Sequence, residues 1–278
     1  MLSWSVGQCA GASFTGSTRL ITAGIQQPDP VWMLLNARVL LGGPYNTGTG
    51  LMNDGLRSAS LLPATEPYTA AGFPQAGEGG GEQVAPGVLA ASGNNAVVDW
   101  VFVELRDASV AQHVFSTRCG LVQRDGDVVD TDGSSPLRIS AVPGNYHVAI
   151  RHRNHLPVMT LNPVAFGTAP VSLNFTSAAL ATYGSNAQRA DGGVFQLWPG
   201  DVTVNSQVKY TGSSNDRDPI LVAVGSTTPN NTLSGQYSAK DVNLDGSVKY
   251  TGSNNDRDPV LVTVGSTTPN NVRSAQLP

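Results

Sequence analysis

Apolar residues in the middle of the chain fall into short alternating or continuous runs separated by turn formers, a pattern of β-strands rather than helices. The clearest runs are Val97-Val-Asp-Trp-Val-Phe-Val-Glu-Leu105, Val114 to Val122, Leu137 to Ser140 and Asn145-Tyr-His-Val-Ala-Ile-Arg151, with Val171-Ser-Leu-Asn-Phe175 predicted as the last strand. Asp125-Gly126 and Pro143-Gly144 supply the turns, since glycine tolerates the left-handed backbone and proline presets its own φ. This spacing predicts an Ig-like β-sandwich over residues 96–196. Ahead of it, Leu2 to Val6 and Thr18 to Thr22 read as two strands, while 42–93 is dominated by loop formers such as Gly77-Glu-Gly-Gly-Gly81. Residues 1–95 are therefore expected to be strands plus a Gly/Pro-rich region with little core of its own, either disordered or a binding surface.

After residue 196 the pattern changes to a repeat. Val208-Lys-Tyr-Thr-Gly-Ser-Ser-Asn-Asp-Arg-Asp-Pro-Ile-Leu-Val-Ala-Val-Gly-Ser-Thr-Thr-Pro-Asn-Asn231 recurs as Val248 to Asn271, altered only at 214/254, 220/260 and 223/263. The region 197–278 thus divides into repeats 201–240 and 241–278 with a period of 40 residues. A unit this small cannot bury its apolar face alone, so the two are expected to pack on each other. Within each, Asp218 or Asp258 precedes proline, a short apolar run and Gly225 or Gly265, which predicts an N-cap, a two-turn helix and a glycine stop. The runs are β-branched and a strand competes locally, but the flanking caps favour helix.

Composition supports a mainly β chain and narrows the partners. Of 278 residues only 13% are charged, with 31 Gly and 18 Pro, and the net charge of −4 offers no basic patch for nucleic acid. No apolar run approaches the roughly 18 residues of a membrane helix, so no membrane insertion is expected. Cys9 and Cys119 are the only cysteines; they could form one disulfide or stand as two thiols, and two alone do not decide.

The chemistry with the best spacing lies at the start of the second repeat. Asp241-Val-Asn-Leu-Asp-Gly-Ser-Val248 matches the first half of an EF-hand loop, with oxygen side chains at positions 1, 3 and 5 and glycine at 6. Alternate residues of such a loop turn inward, so Asp241, Asn243 and Asp245 are predicted to converge on Ca2+, joined by the Lys249 backbone carbonyl and closed by Asp256. Gly252 stands where an EF-hand has its bidentate acid, and Asp258 is expected to cap the helix instead. In the first repeat Asp201, Asn205 and Asp216 form a weaker counterpart, because one carboxylate and the turn glycine are replaced.

Other constellations carry less. His147, His152 and His155, with Asp125, Asp127, Asp130 and Asp132, lack a recognisable metal or acid-base spacing and are expected to form a solvated edge, the acids holding at most a weak second calcium. No nucleophile elbow, phosphate loop or paired-acid signature is present, so no enzyme is predicted. Trp100 is expected in the core, and Trp198 between the β region and the first repeat.

The calcium loop followed by a short helix, used twice, resembles a dockerin type I pair, although the inserted Lys-Tyr-Thr-Gly-Ser-Asn-Asn-Asp-Arg-Asp-Pro is not dockerin-like. Nearly end to end, the chain resembles the C-terminal regions of large secreted or surface proteins of the Bacteroidota, through Gly43-Pro-Tyr-Asn-Thr-Gly-Thr-Gly-Leu-Met52, Val98 to Asp107, Gln123 to Asp130 and Gly144 to His155. That resemblance implies export to an extracellular or cell-surface location and a calcium-dependent role. The expected function is a non-enzymatic structural protein whose copies associate through strand edges into a fibre or matrix. The alternatives are a module for adhesion to cell-surface glycans and the sorting or anchoring region of a longer protein.

Overall fold

A computed structural model describes residues 21–22, 25–26 and 31–278. The strands predicted at Leu2 to Val6 and, apart from Ile21–Thr22, at Thr18 to Thr22 lie outside the described residues. So does Cys9.

The apolar runs form strands where expected and join one mainly antiparallel sheet. Its members are β1 (Val31–Arg38), β2 (Val97–Asp107), β3 (Val114–Gln123), β4 (Asp127–Val129), β5 (Leu137–Ala141), β6 (Gly144–His152), β7 (His155–Met159), β8 (Val164–Phe166) and β9 (Val171–Asn174). The order is β7-β6-β2-β3-β4-β1-β9, with β8 on β6 and β5 on β1. Only β9 runs parallel to its neighbour, pairing Val171 with Leu35. β2 has the most continuous apolar run and lies at the centre, buried from Val97 through Arg106. Among the described residues, 31–95 and 96–196 share this sheet and one core rather than standing as separate units, because β1 contributes Met33, Leu35 and Ala37 to it.

The glycine-rich stretch is ordered against that core. Met52, Leu56, Leu62, Tyr68 and Phe73 are buried there, and Tyr68 and Phe73 each set their rings against Phe102, with centroids 5.5 Å apart in both pairs. Trp100 is fully buried in β2, donates its indole N–H to the Pro63 carbonyl at 3.0 Å, and accepts the Tyr68 hydroxyl on its own carbonyl at 2.7 Å. Two buried glutamates complete the attachment. Glu66 accepts the Tyr68, Thr69 and Gly81 amides, and Glu82 accepts those of Gly80 and Cys119. The loop is held because its backbone donors have acceptors that do not depend on strand pairing.

A hairpin of β10 (Gln188–Asp191) and β11 (Val194–Leu197) leads into the repeats. Each repeat forms a strand, a helix and a second strand: β12 (Gln207–Lys209), α1 (Arg217–Ala223) and β13 (Thr232–Ser234), then β14 (Ser247–Lys249), α2 (Arg257–Val264) and β15 (Val272–Ser274). The strands pair across the repeats, β12 with β15 and β13 with β14. Val208, Ile220, Val224, Val248, Val260 and Val264 fill the core between them, joined by Leu156 from β7. The competing strand reading of Ile220–Val224 and Val260–Val264 fails at both copies, and Gly265 ends the second helix at φ 110°. Asp218 and Asp258 are not the caps. They lie in the first turn, where Asn215 and Asn255 each accept the aspartate N–H and return an N–H to its carboxylate.

Replacing Glu82 with alanine should strand the half-buried Gly80 amide and the buried Cys119 amide. At roughly 1–3 kcal/mol for each unsatisfied group, a loss of about 3 kcal/mol is expected. Urea denaturation of the two proteins measures it, and an unchanged midpoint would contradict this account of the loop.

Candidate metal centre

The two loops that open the repeats follow the same path. In the second, the Asp241 carboxylate accepts the Asp245 amide at 3.1 Å and the Gly246 amide at 2.8 Å. Asp256 reaches back from the start of α2, with Oδ1 accepting the Val242 amide at 2.7 Å and Oδ2 the Lys249 amide at 2.8 Å. Asn243 Oδ1 accepts the Asp245 N–H, and Asp245 Oδ1 the Ser247 N–H, both at 2.9 Å. Asp241 and Asp256 are fully buried, whereas Asp245 is exposed at the mouth. The Lys249 carbonyl accepts the Asp256 N–H at 2.9 Å, while Lys249 Nζ donates to the Ser253 carbonyl.

The first loop repeats this frame. Asp201 accepts the Asn205 and Ser206 amides, each at 2.9 Å. Asp216 accepts the Thr203 amide at 2.9 Å and the Lys209 amide at 2.8 Å. Ser206 holds φ 67° where Gly246 holds 83°, so the loop keeps its turn without glycine at a strain on the order of 1 kcal/mol.

Among the described residues, no Lys, Arg or His side-chain nitrogen lies within 4.0 Å of the carboxylates of Asp201, Asp216, Asp241 and Asp256. Burial first, and the neighbouring Asp256 carboxylate second, push Asp241 up to about 8. Burial raises Asp256 to about 7, and burial with repulsion from Asp216 raises Asp201 to about 7. All the donors named in these loops are oxygens, the set that suits a hard divalent cation.

A different group meets the tightest spacing. Glu66, Glu82 and Cys119 are, among the described residues, the one set of three acidic, thiol or imidazole donors whose ligand atoms lie within 4.8 Å of one another; the acids of the second loop do not reach it. Cys119 Sγ lies 3.5 Å from Glu66 Oε2, and burial together with Glu82 and Glu66 pushes its thiol far up. With the thiol protonated and both carboxylates accepting amides, the cluster acts as the anchor of the glycine-rich loop. Of the proposed disulfide only this half is described.

The histidines are not a solvated edge. His147, His152 and His155 are all buried: the His147 ring lies against the Thr160 carbonyl at 3.0 Å, and His152 and His155 flank the Arg153–Asn154 turn, which is bonded to both repeats through Asp201, Ser238, Ala239 and Asp241. Asp99, near the start of β2, accepts Arg153 Nε at 2.9 Å, His152 Nε2 at 3.1 Å and the Tyr237 hydroxyl at 2.7 Å. Burial alone would raise Asp99, but Arg153 and His152 hold it down to about 2. The Gly43 N–H donates to His155 Nε2 at 3.1 Å, which leaves Nδ1 as the protonated nitrogen, donating to Asn154 Oδ1 at 2.8 Å. Burial lowers His152, and burial with His152 and Arg153 lowers His155 well below its ordinary value. Of the four acids at 125–132, Asp130 is buried against Arg118 and Arg138 and Asp127 is exposed near Arg38. Sequence patterns missed Asp99, Asn154 and Tyr237; the only signal was an aspartate inside an otherwise apolar run.

Two histidines held neutral in the fold but free to protonate when unfolded give stability that is present above pH 6.5 and lost as pH falls below it. The slope approaches about 1.4 kcal/mol per pH unit for each histidine. The raised loop carboxylates act oppositely, losing stability as pH rises through about 7 to 8. The histidine contribution is isolated by comparing the chain with His155→Gln between pH 5 and 7; the variant should show the shallower acid slope, and equal slopes would refute the assignment.

Comparison with protein families, curated proteins and solved structures found no match to this chain, so its fold and candidate site stand on their own geometry.

Proposed function

We propose that the chain is a non-enzymatic structural module of an extracellular or cell-surface protein, that it binds Ca2+ in its second repeat, and that copies associate through strand edges. One observation carries the calcium reading: two fully buried carboxylates, Asp241 and Asp256, share one loop with no cationic side chain in ion-pair range among the described residues. Uncompensated buried charge is expensive, and a divalent ion relieves it while using the oxygens of Asn243 and Asp245 at the mouth. Asp241, Asn243, Asp245 and Asp256 would hold it. Asp201, Asn205 and Asp216 form the weaker set, since fewer charges give lower calcium affinity.

Support for edgewise association comes from β1. Leu35 pairs with Leu137 of β5 on one side and Val171 of β9 on the other, but β9 reaches only Leu35–Arg38. Among the described residues, Val31 to Leu34 therefore have one open side, and Val31 and Trp32 are 44% and 48% exposed. Such an edge is a template for another strand.

Calcium at about 100 times its dissociation constant should stabilise the chain by about 2.7 kcal/mol against urea, and chelator should reverse this. Asp256→Asn should abolish the response. Because Asp241 is pushed up to about 8, binding must displace protons near neutrality, and apparent affinity should rise from pH 6 to pH 8. A urea midpoint indifferent to calcium would overturn the calcium reading. Association is tested by electron microscopy of concentrated protein with calcium: filaments or sheets are expected, weakened by Trp32→Lys, whereas uniform monomers would count against it.

A further inference from the structure

The two repeats are nearly identical in sequence but not in surroundings. Leu244, in the second loop, is fully buried in the core of the large sheet, while its counterpart Val204 is 42% exposed. Two glycines of the β region make the difference. A Cβ on Gly43 would lie 2.0 Å from the Val242 carbonyl oxygen, and one on Gly55 2.8 Å from both Asp245 Cα and the Leu244 carbonyl oxygen. The backbone of the second loop is thus pressed directly onto backbone of the β region, an approach only glycine permits.

One residue reaches both loops. The Asn154 carbonyl accepts the Gly200 amide at 2.9 Å and the Asp201 amide at 3.1 Å. Its side-chain amide donates to the Asp241 carbonyl at 2.7 Å and the Ala239 carbonyl at 3.1 Å. The first residue of each loop is therefore held by the same turn. Arg153 beside it donates to the Ser238 carbonyl, and its guanidinium lies 4.4 Å from the Tyr237 ring centroid. Through His155 the turn is also bonded to Gly43.

We infer that the second loop is the joint between the repeat pair and the β region, that a cation bound in it locks the two together, and that Asn154, Gly43 and Gly55 are positioning residues of that joint. This rests on the calcium reading of the same loop. The loop can close around an ion only if Asp241, at its start, and Asp245, at its mouth, hold their separation. Asn154 fixes the first and Gly55 abuts the second. Ordering the loop therefore orders the surface it touches, and an ion in the first loop, which has no such contact at Val204, leaves the joint unchanged.

The test is hydrogen exchange of the full chain with and without calcium chloride, alongside calorimetric titration with calcium. Added calcium should increase protection at 41–56 and 151–156 as well as at 241–256, and Asp201→Asn should leave this response intact. Gly55→Ala should weaken calcium binding about tenfold, within the usual range of coupling between sites, and confine the gained protection to 241–256. Asn154→Ser, which loses the amide donors without adding volume, should do the same and serves where Gly55→Ala does not fold. Calcium binding with protection confined to 241–256 in the unaltered chain would overturn the joint while leaving the calcium reading in place. An absence of binding in the titration would overturn both.

Discussion

A carboxylate buried in the strand at the centre of the sheet must have its charge met on the spot, and the way Asp99 is met governs how the rest of the molecule fits together. Its partners come from two directions: Arg153 and His152 from the β6–β7 hairpin, and Tyr237 from the end of the first repeat. Removing Arg153 would leave the buried carboxylate without its permanent counter-charge, which costs several kcal/mol. The network therefore specifies one placement of the repeats against the sheet, where apolar packing alone would tolerate several.

The repeats solve a different problem. Each has one short helix and two three-residue strands, too little to close a core. Exchanging strands, β12 with β15 and β13 with β14, gives both helices a common apolar interior centred on Val208, Val248, Ile220 and Val260. Near-identity of sequence then gives near-identity of local structure, including the reciprocal bonds of Asn215 with Asp218 and Asn255 with Asp258. What differs is outside the repeat, where the β region covers one loop and not the other.

In both loops the carboxylates are arranged by backbone amides rather than by opposite charge. This fixes side-chain direction, while burial first and the neighbouring Asp256 carboxylate second raise Asp241, and burial raises Asp256. Preorganisation of this sort favours a hard cation through charge and geometry together. The glutamate and cysteine cluster at the glycine-rich loop shows the contrast: it is more compact, but its carboxylates accept backbone amides of that loop and of the adjoining strand at Cys119.

The sequence by itself determined the strands, because alternation and β-branched runs are local properties, and it determined the repeats, their helices and the Asp241-x-Asn243-x-Asp245-Gly246 spacing for the same reason. It also placed Trp100 in the core, whose indole and carbonyl there both find partners in the 63–68 segment. Only the tertiary structure decided which segments share a core. The 42–93 region looks coreless along the chain because its apolar residues are sparse and aperiodic, yet Tyr68 and Phe73 are buried by strands that follow them in sequence. The β10–β11 hairpin went unread although Asp191-Gly192 marks its turn. The histidines looked exposed because strand alternation describes one sheet face and not what packs on it. The asymmetry between Leu244 and Val204 likewise follows from neighbours far away in the chain, and no local pattern encodes a contact made across nearly two hundred residues.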